Sequence, residues 1–524
     1  MAQQQNPNLG WEEEGFANKW LVLLSVMIGT FMAVLDATIV SVAFPKMMAV
    51  FGVSVDRIEW VMTAYMLAFA VVLPSSGWIA DRFGYKFTYI MGLALFTAGS
   101  FACSLSWNEN ILIVFRIIQG SGAGFLMPVG MAIVTRAFPP NQRGVALGFW
   151  GIAAAASVSL GPLVGGYLVD NFSWHAIFDI NIPVGMMGIV AVGIIQDEYK
   201  SHVIKKFDIG GFLTMTIGLG TLLLALATGN SSWNTGGWSS TFIVTNFFIA
   251  AVSLIFFVMI ELRSEHPILN LRLLKYYNFA MSILIMFIFG IAFFGNAFLL
   301  PIYLQNSLGY TALQAGLVFF PVGILQAFIA PVSGQLTDRF NPKIPLLTGA
   351  VILGTSMYLL SLISLQTTHD QIMLPLYLRG LGMGLIFTPI STVALYEIPK
   401  PQLAQASGLF NTIRQLGGSF GIATLGTILA QRVKFHVQIY GEHLNQTSPV
   451  FHDVTNRLKE FAMHAVGSDN MTAMIQAKML LLKNITEQAF VQGISNDFLI
   501  GSGLTFFLLV PMLFLRTSKK HLNR

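Results

Sequence analysis

Charge is scarce in this sequence. Only 10% of its 524 residues are Asp, Glu, Lys or Arg, against roughly 25% in a soluble domain. That shortage excludes a soluble enzyme, a disordered chain and a nucleic-acid binder. Cysteine is nearly missing too. Cys103 stands alone, which leaves no internal disulfide and no thiolate metal or redox centre. No G-x-x-x-x-G-K loop followed by Ser or Thr is present to cradle nucleotide phosphates, so nothing in the chain spends ATP, and neither a cofactor nor a metal is implied. A cleavable leader is not expected either. The acidic run Glu12–Glu14 precedes the first apolar stretch, which is long enough to remain in the membrane.

Apolar residues fill the space that charge leaves. They make up 55% of the chain, with 43 Phe and 24 Met, and the mean hydropathy is +0.68. A membrane-spanning helix needs roughly 20 mostly apolar residues. Fourteen stretches qualify: 20–42, 58–79, 87–106, 110–135, 144–168, 175–196, 209–228, 241–262, 278–304, 312–336, 344–365, 371–396, 404–430 and 497–515. They are called spans one to fourteen below. Most of the 29 Lys and Arg fall in alternate connections, whereas the short connections on the other side hold only Lys46 and Arg57. The positive-inside bias therefore predicts both termini on the cytoplasmic side. The polar stretch 431–496 is then a long extracytoplasmic loop.

The chain repeats itself. Gly77-Trp-Ile-Ala-Asp81-Arg82-Phe83-Gly-Tyr-Lys86 recurs as Gly334-Gln-Leu-Thr-Asp338-Arg339-Phe340-Asn-Pro-Lys343, and Gly120, Gly122 and Gly124 recur 260 residues later as Gly380, Gly382 and Gly384. The expected architecture is all-α: a cytoplasmic tail (1–19), a six-helix half (20–196), linkers with two inserted helices (197–275) and a second six-helix half (276–524) that carries the outer loop. Parallel repeats of this kind are a recurring transporter design, with the substrate site between them.

These residues resemble the major facilitator superfamily, in particular its fourteen-span drug:proton antiporter branch of EmrB-like and QacA-like efflux pumps. Leu35-Asp36-Ala-Thr38 through Pro45 is similar to the branch's first-span signature, with Ser41 where Asn is usual. Gly77 to Lys86 resembles the superfamily's loop motif, and Arg116-Ile-Ile-Gln119-Gly120 its proton-coupling motif. Gly148, Gly161, Pro162, Gly165 and Gly166 resemble the antiporter motif, with Ser157 where a Gly is expected. Asn181-Ile-Pro183 and Arg414 to Gly418 also look typical of the branch. The resemblance implies export of amphipathic drugs across a bacterial inner membrane, driven by protons through alternating access. The rival within the same fold is a dedicated exporter of one metabolite, such as a lipid, siderophore or amino acid.

Asp36 and Arg116 lie at similar depth in spans one and four, and ionisable groups inside a membrane are functional candidates by default. A carboxylate that alternates between an arginine and a proton couples protonation to conformation. Asp179, near the outer end of span six, is a further candidate acid. Asp81, Arg82 and Lys86 beside Gly77, and Asp338, Arg339 and Lys343 beside Gly334, are the candidate cytoplasmic latch. The antiporter glycines and Pro162 are expected to pack closely and seal the route against proton leak. Gln119, Phe293, Phe294, Arg379 and Arg414 are assigned to the substrate cavity, with Phe287, Phe289 and Phe298 extending an aromatic wall. Within 431–496, apolar residues at helical spacing predict helices near 454–466 and 474–491, which either lie on the membrane surface or dock a partner. The resemblance implies that such a partner is a membrane-fusion adaptor protein.

Overall fold

The computed structural model describes residues 18–53, 55–200, 207–231, 233–297, 299–442, 449–466 and 469–516. Helices dominate, and no strand occurs among the described residues. Lipid offers no partner for a backbone amide, so only elements that close their own hydrogen bonds are stable within it. Among the described residues, thirteen helices are long and apolar enough to cross a membrane. Between the twelfth and the last lies Leu403–Glu442, 40 residues long, at the place expected for span thirteen. Arg414, Gln415 and the glycines around them lower its hydropathy, because this helix packs chiefly against protein.

Several helices outrun the apolar stretches that announce them. Span one runs from Lys19 to Phe51. Span six is broken at Ile180 into Ala176–Asp179 and Asn181–Ile195. The polar stretch 431–496 is largely helical. Span thirteen continues to Glu442, Pro449–Val466 forms a separate outer helix, and Asn470–Phe507 runs unbroken into the last span. The segment 474–491 is therefore the outer arm of span fourteen and not a separate helix.

The two sets of six pack alike. In the first set, span one touches spans four, five and six, and span three touches four and six. In the second, span nine touches spans twelve, thirteen and fourteen, and span eleven touches twelve and fourteen. The inserted helices, Ile209–Thr228 and Thr241–Arg263, pack on each other. Span seven also bridges the two sets: Leu223 and Leu226 form one cluster with Ala70 of span two and Ala423 of span thirteen. Beyond its end, Asn230 donates to Thr427 at 2.9 Å and Trp238 donates to the same hydroxyl at 2.8 Å.

Span five is the seam between the sets. Gly161 and Gly165 face Thr38 and Ile39 of span one, whereas Gly148 lies on Ala330 and Pro331 of span ten, and Pro162 lies against Gly316 of the same helix. Small residues on two faces let this helix approach both neighbours closely. The same device acts within the first set, where Gly120 sits directly on the carbonyl of Tyr65. Gly120→Val would place side-chain carbons on that main chain, and overpacking of this kind costs about 1–3 kcal/mol. A lower thermal midpoint in detergent is expected, and a melting curve like that of the parent protein would contradict the packing described.

Candidate functional site

Asp36 is fully buried, roughly 25 Å along the helix from Lys19. Arg116 of span four is equally buried, and its Nη1 donates to Asp36 Oδ2 at 2.5 Å. Three further groups complete the cluster. Gln119, one turn along the same helix face as Arg116, donates to Asp36 Oδ1 at 2.8 Å and to Ser100 Oγ at 2.6 Å. Asn181 donates to the same two acceptors at 3.2 and 3.0 Å. The guanidinium lies 4.1 Å from the centre of the Tyr65 ring, and its Nε donates to the Val61 carbonyl at 3.2 Å. Spans one, two, three, four and six thus converge on one carboxylate.

The arrangement balances one negative with one positive charge in a dry interior. Burial of two ions is repaid only when their remaining hydrogen-bonding capacity is met; Gln119 and Asn181 donate to the carboxylate and Ser100 anchors both amides. Arg116 Nη2 alone is left without a partner. Protonation of Asp36 would leave the guanidinium uncompensated, so the site is stable only when its charge and its surroundings change together.

Asp179 lies elsewhere. It ends the short helix Ala176–Asp179 and is exposed, so it is no second buried carboxylate beside Asp36. Asn181, two residues on and roughly 200° around the helix, points inward in its place. Asn181, Ser100 and Tyr65 are site members that sequence reasoning did not select. The Asn-Ile-Pro triplet was the available signal for the first, while the other two have none.

In the second copy the latch acid bonds across the seam. Asp338 accepts from the backbone N–H of Gly144 and of Val145, both at 3.0 Å. These are unpaired donors of the first turn of span five, where the helix dipole favours an anion. Gly334 meets the Gly144 backbone with no room for a side chain on either. In the first copy Asp81 is buried and accepts from Tyr85 Oη at 3.3 Å, and Gly77 packs on Ala404 and Gln405 at the start of span thirteen. Of the motif's bases, Arg82 and Arg339 are exposed, and Lys343 donates to the Leu513 carbonyl at 2.8 Å within its own set. Lys86 contributes its backbone N–H, which donates to Glu198. Each motif sets its glycine against the start of the opposing helix, and in the second copy Asp338 bonds across the seam as well.

Of the expected cavity residues, Gln119 belongs to the Asp36 cluster. Phe293 stacks on Phe289 at 5.5 Å and carries the Arg379 guanidinium 4.8 Å from its ring centre. Phe294 lies edge-on to Phe293 and packs on Gly418, whereas Phe287 faces Phe420. Phe298 lies outside the described residues. Arg414 sits 5.5 Å over Phe387, whose other face stacks on Trp150 of the first set at 6.4 Å. Arg414 therefore stands at the seam between the sets, and Arg379 lies deep within the second.

Comparison with known proteins follows from this geometry. The sequence model described as Major Facilitator Superfamily matches residues 26–209 and 209–422. The multidrug export protein EmrB of Escherichia coli is 30% identical over 511 residues, covering 97% of this chain and 96% of that protein. The fatty acid resistance protein FarB of Neisseria gonorrhoeae is 30% identical over 510 residues, with 97% and 98% covered. Among solved structures, the proton:xylose symporter XylE superposes with a TM-score of 0.61 at 13% identity, covering 96% of this chain and 97% of that one. The human organic anion transporter MFSD10 gives 0.60 at 13%, with 95% and 99% covered.

Removing one member of the buried pair leaves the other charge unmatched. Arg116→Ala is expected to destabilise the protein by about 3–5 kcal/mol, and Arg116→Ala with Asp36→Asn by clearly less. Thermal unfolding of the purified variants checks this; equal losses for the single and double variants would contradict it.

Proposed function

The chain belongs to the Major Facilitator Superfamily, and from that premise we propose that it is a multidrug exporter of the inner membrane that works by proton-coupled alternating access. The observation that carries the coupling is the closed cluster around Asp36. A carboxylate paired with a buried arginine has two low-energy states: ionised against Arg116, or protonated with Arg116 satisfied in some other way. The second state requires the helices bearing Gln119 and Asn181 to shift, because their amide donors are aimed at an anion. Proton binding thereby biases the packing of the first set against the second.

Amphipathic substrate would enter between the sets. Arg414 above Phe387, with Trp150 opposite, supports a mixed aromatic and cationic wall there, and Phe293, Phe294 and Arg379 extend it inside the second set. The conformation described is closed on the cytoplasmic side. Asp338 on the first turn of span five, Gly77 on the start of span thirteen, and Ser407 Oγ donating to the Pro128 carbonyl at 2.8 Å all cross the seam there. Opening to the cytoplasm must break these contacts, so the two motifs act as clasps. The segments 20–196 and 276–524 would be the moving units, with 197–275 spanning the gap on one side. The outer helix Pro449–Val466 and the exposed arm of span fourteen offer the surface on which a membrane-fusion adaptor would dock.

Two measurements test the reading. Efflux of a fluorescent amphipathic dye from cells should depend on the proton gradient and be lost in Asp36→Asn at normal membrane abundance. Gradient-dependent efflux that survives in Asp36→Asn would move coupling away from this carboxylate, and failure of the parent protein to move any of a varied dye panel would favour the dedicated-metabolite exporter. For the clasps, Asp338→Ala removes both acceptors for the span-five amides, and a loss of about 1–3 kcal/mol of closed-state stability is expected. Thiol labelling of a cysteine placed at Ser407 should then speed up by roughly tenfold or more, and an unchanged rate would rule out the clasp.

A further inference from the structure

The second set contains a counterpart of the Asp36 cluster, built from different residues and left unsatisfied. The 260-residue offset that relates Gly120 to Gly380 also relates Asp36 to Asn296 and Gln119 to Arg379. The third member is fixed by packing. Gly185, one turn beyond Asn181, lies against Thr97 of span three and Met32 of span one. Gly501, one turn beyond Asp497, lies against Met357 of span eleven and Asn296 of span nine. Thr97 and Met357 are again 260 apart, so Asp497 occupies in the second set the place of Asn181 in the first. The carboxylate has moved from the first helix of the set to the sixth.

In the first set every member of the trio is bonded. In the second each has an orphan. Asn296 Oδ1, Arg379 Nη1 and both carboxyl oxygens of Asp497 are buried without a hydrogen-bond partner, and Asn296 and Asp497 have no exposure at all. An ionised carboxylate with no donor and no counter-ion in contact is prohibitively costly in an apolar interior; a neutral carboxylic acid is not. The neighbours on each packed helix do not alter this. Span thirteen brings Leu429 and Val433 against Gly493, one turn before Asp497. It also carries Arg432, which acts on Asp497 through space but is itself exposed, and His436, whose ring pairs with Asn496 at 3.0 Å. Span nine contributes Tyr303, whose hydroxyl donates to the Ser364 carbonyl. Span eleven offers Ser361, whose carbonyl is taken by Ser495.

We propose that Asp497 is a second proton-binding carboxylate, occupied by a proton in the cytoplasm-closed conformation and exchanging it with the outer aqueous side past Arg432, His436 and Asn496. Ionisation becomes tolerable only when Arg432 or water reaches the carboxyl, or when movement of the second set brings Arg379 toward it. Export would then consume two protons, one in each set. The inference rests on the proton-coupled reading above, and its test separates the two.

Infrared spectra of the purified protein in lipid should show at pH 7 a carbonyl stretch of a protonated carboxyl that Asp497→Asn removes and Asp36→Asn retains. Asparagine is isosteric with the neutral acid, so the variant should fold; should it fail to reach the membrane, Asp497→Glu, which shifts the band without removing it, carries the same test. In proteoliposomes with a tenfold proton gradient, Asp497→Asn should lower the steady-state substrate accumulation about tenfold, the loss of one proton's driving force. A spectrum indifferent to residue 497, or an unchanged accumulation ratio, overturns the proposal. A parent protein that ignores the proton gradient altogether would overturn proton coupling itself, and the infrared band would still report the state of Asp497.

Discussion

No charge can stand unmatched inside this protein, and much of its interior is arranged around that constraint. Asp36 and Arg116 are tolerated because they meet each other and because Gln119 and Asn181 donate to the carboxylate, with Ser100 accepting from both amides. Five helices must be in register for that to hold. The packing of the first set and the state of one carboxyl group are therefore the same variable seen from two sides, which is the property a coupled transporter needs.

The seam obeys a complementary rule. Where two bundles must close and open against each other, large side chains would lock them or leave voids. Span five instead turns glycines toward span one and toward span ten, so backbone meets backbone. Its first turn is held by a carboxylate from the other set. In the proposed cycle, hydrogen bonds to helix termini suit this duty, because the orphan amides that form them can be satisfied by water once the seam opens. Hydrophobic burial provides adhesion and the few polar contacts provide register.

Pseudo-symmetry makes the differences between the sets informative. Helix packing is repeated closely enough that Thr97 and Met357 occupy equivalent places, yet the polar chemistry is not repeated. One set holds a closed ion-pair cluster and the other a scattered asparagine, arginine and aspartic acid. The frame is repeated while the charges are redistributed, and an arginine at the seam, Arg414, belongs to the second set.

The sequence by itself determined the membrane class, the positions of nearly all the spans, the internal repeat and the pairing of depth between Asp36 and Arg116. Each is written in local composition or in simple spacing, and lipid enforces both strictly. Only the tertiary structure decided which polar groups join the buried carboxylate. Asn181 enters and Asp179 does not, because two residues apart on a helix lie on nearly opposite faces, and only the packing shows which face turns inward. It also decided that Asp338, not its neighbouring bases, bonds across the seam, since a long lysine or arginine reaches water more cheaply than it can be buried. Asp497 is the clearest case. It stands at the start of the last apolar stretch of the sequence, and only the packing shows that it is fully buried with both carboxyl oxygens unpartnered.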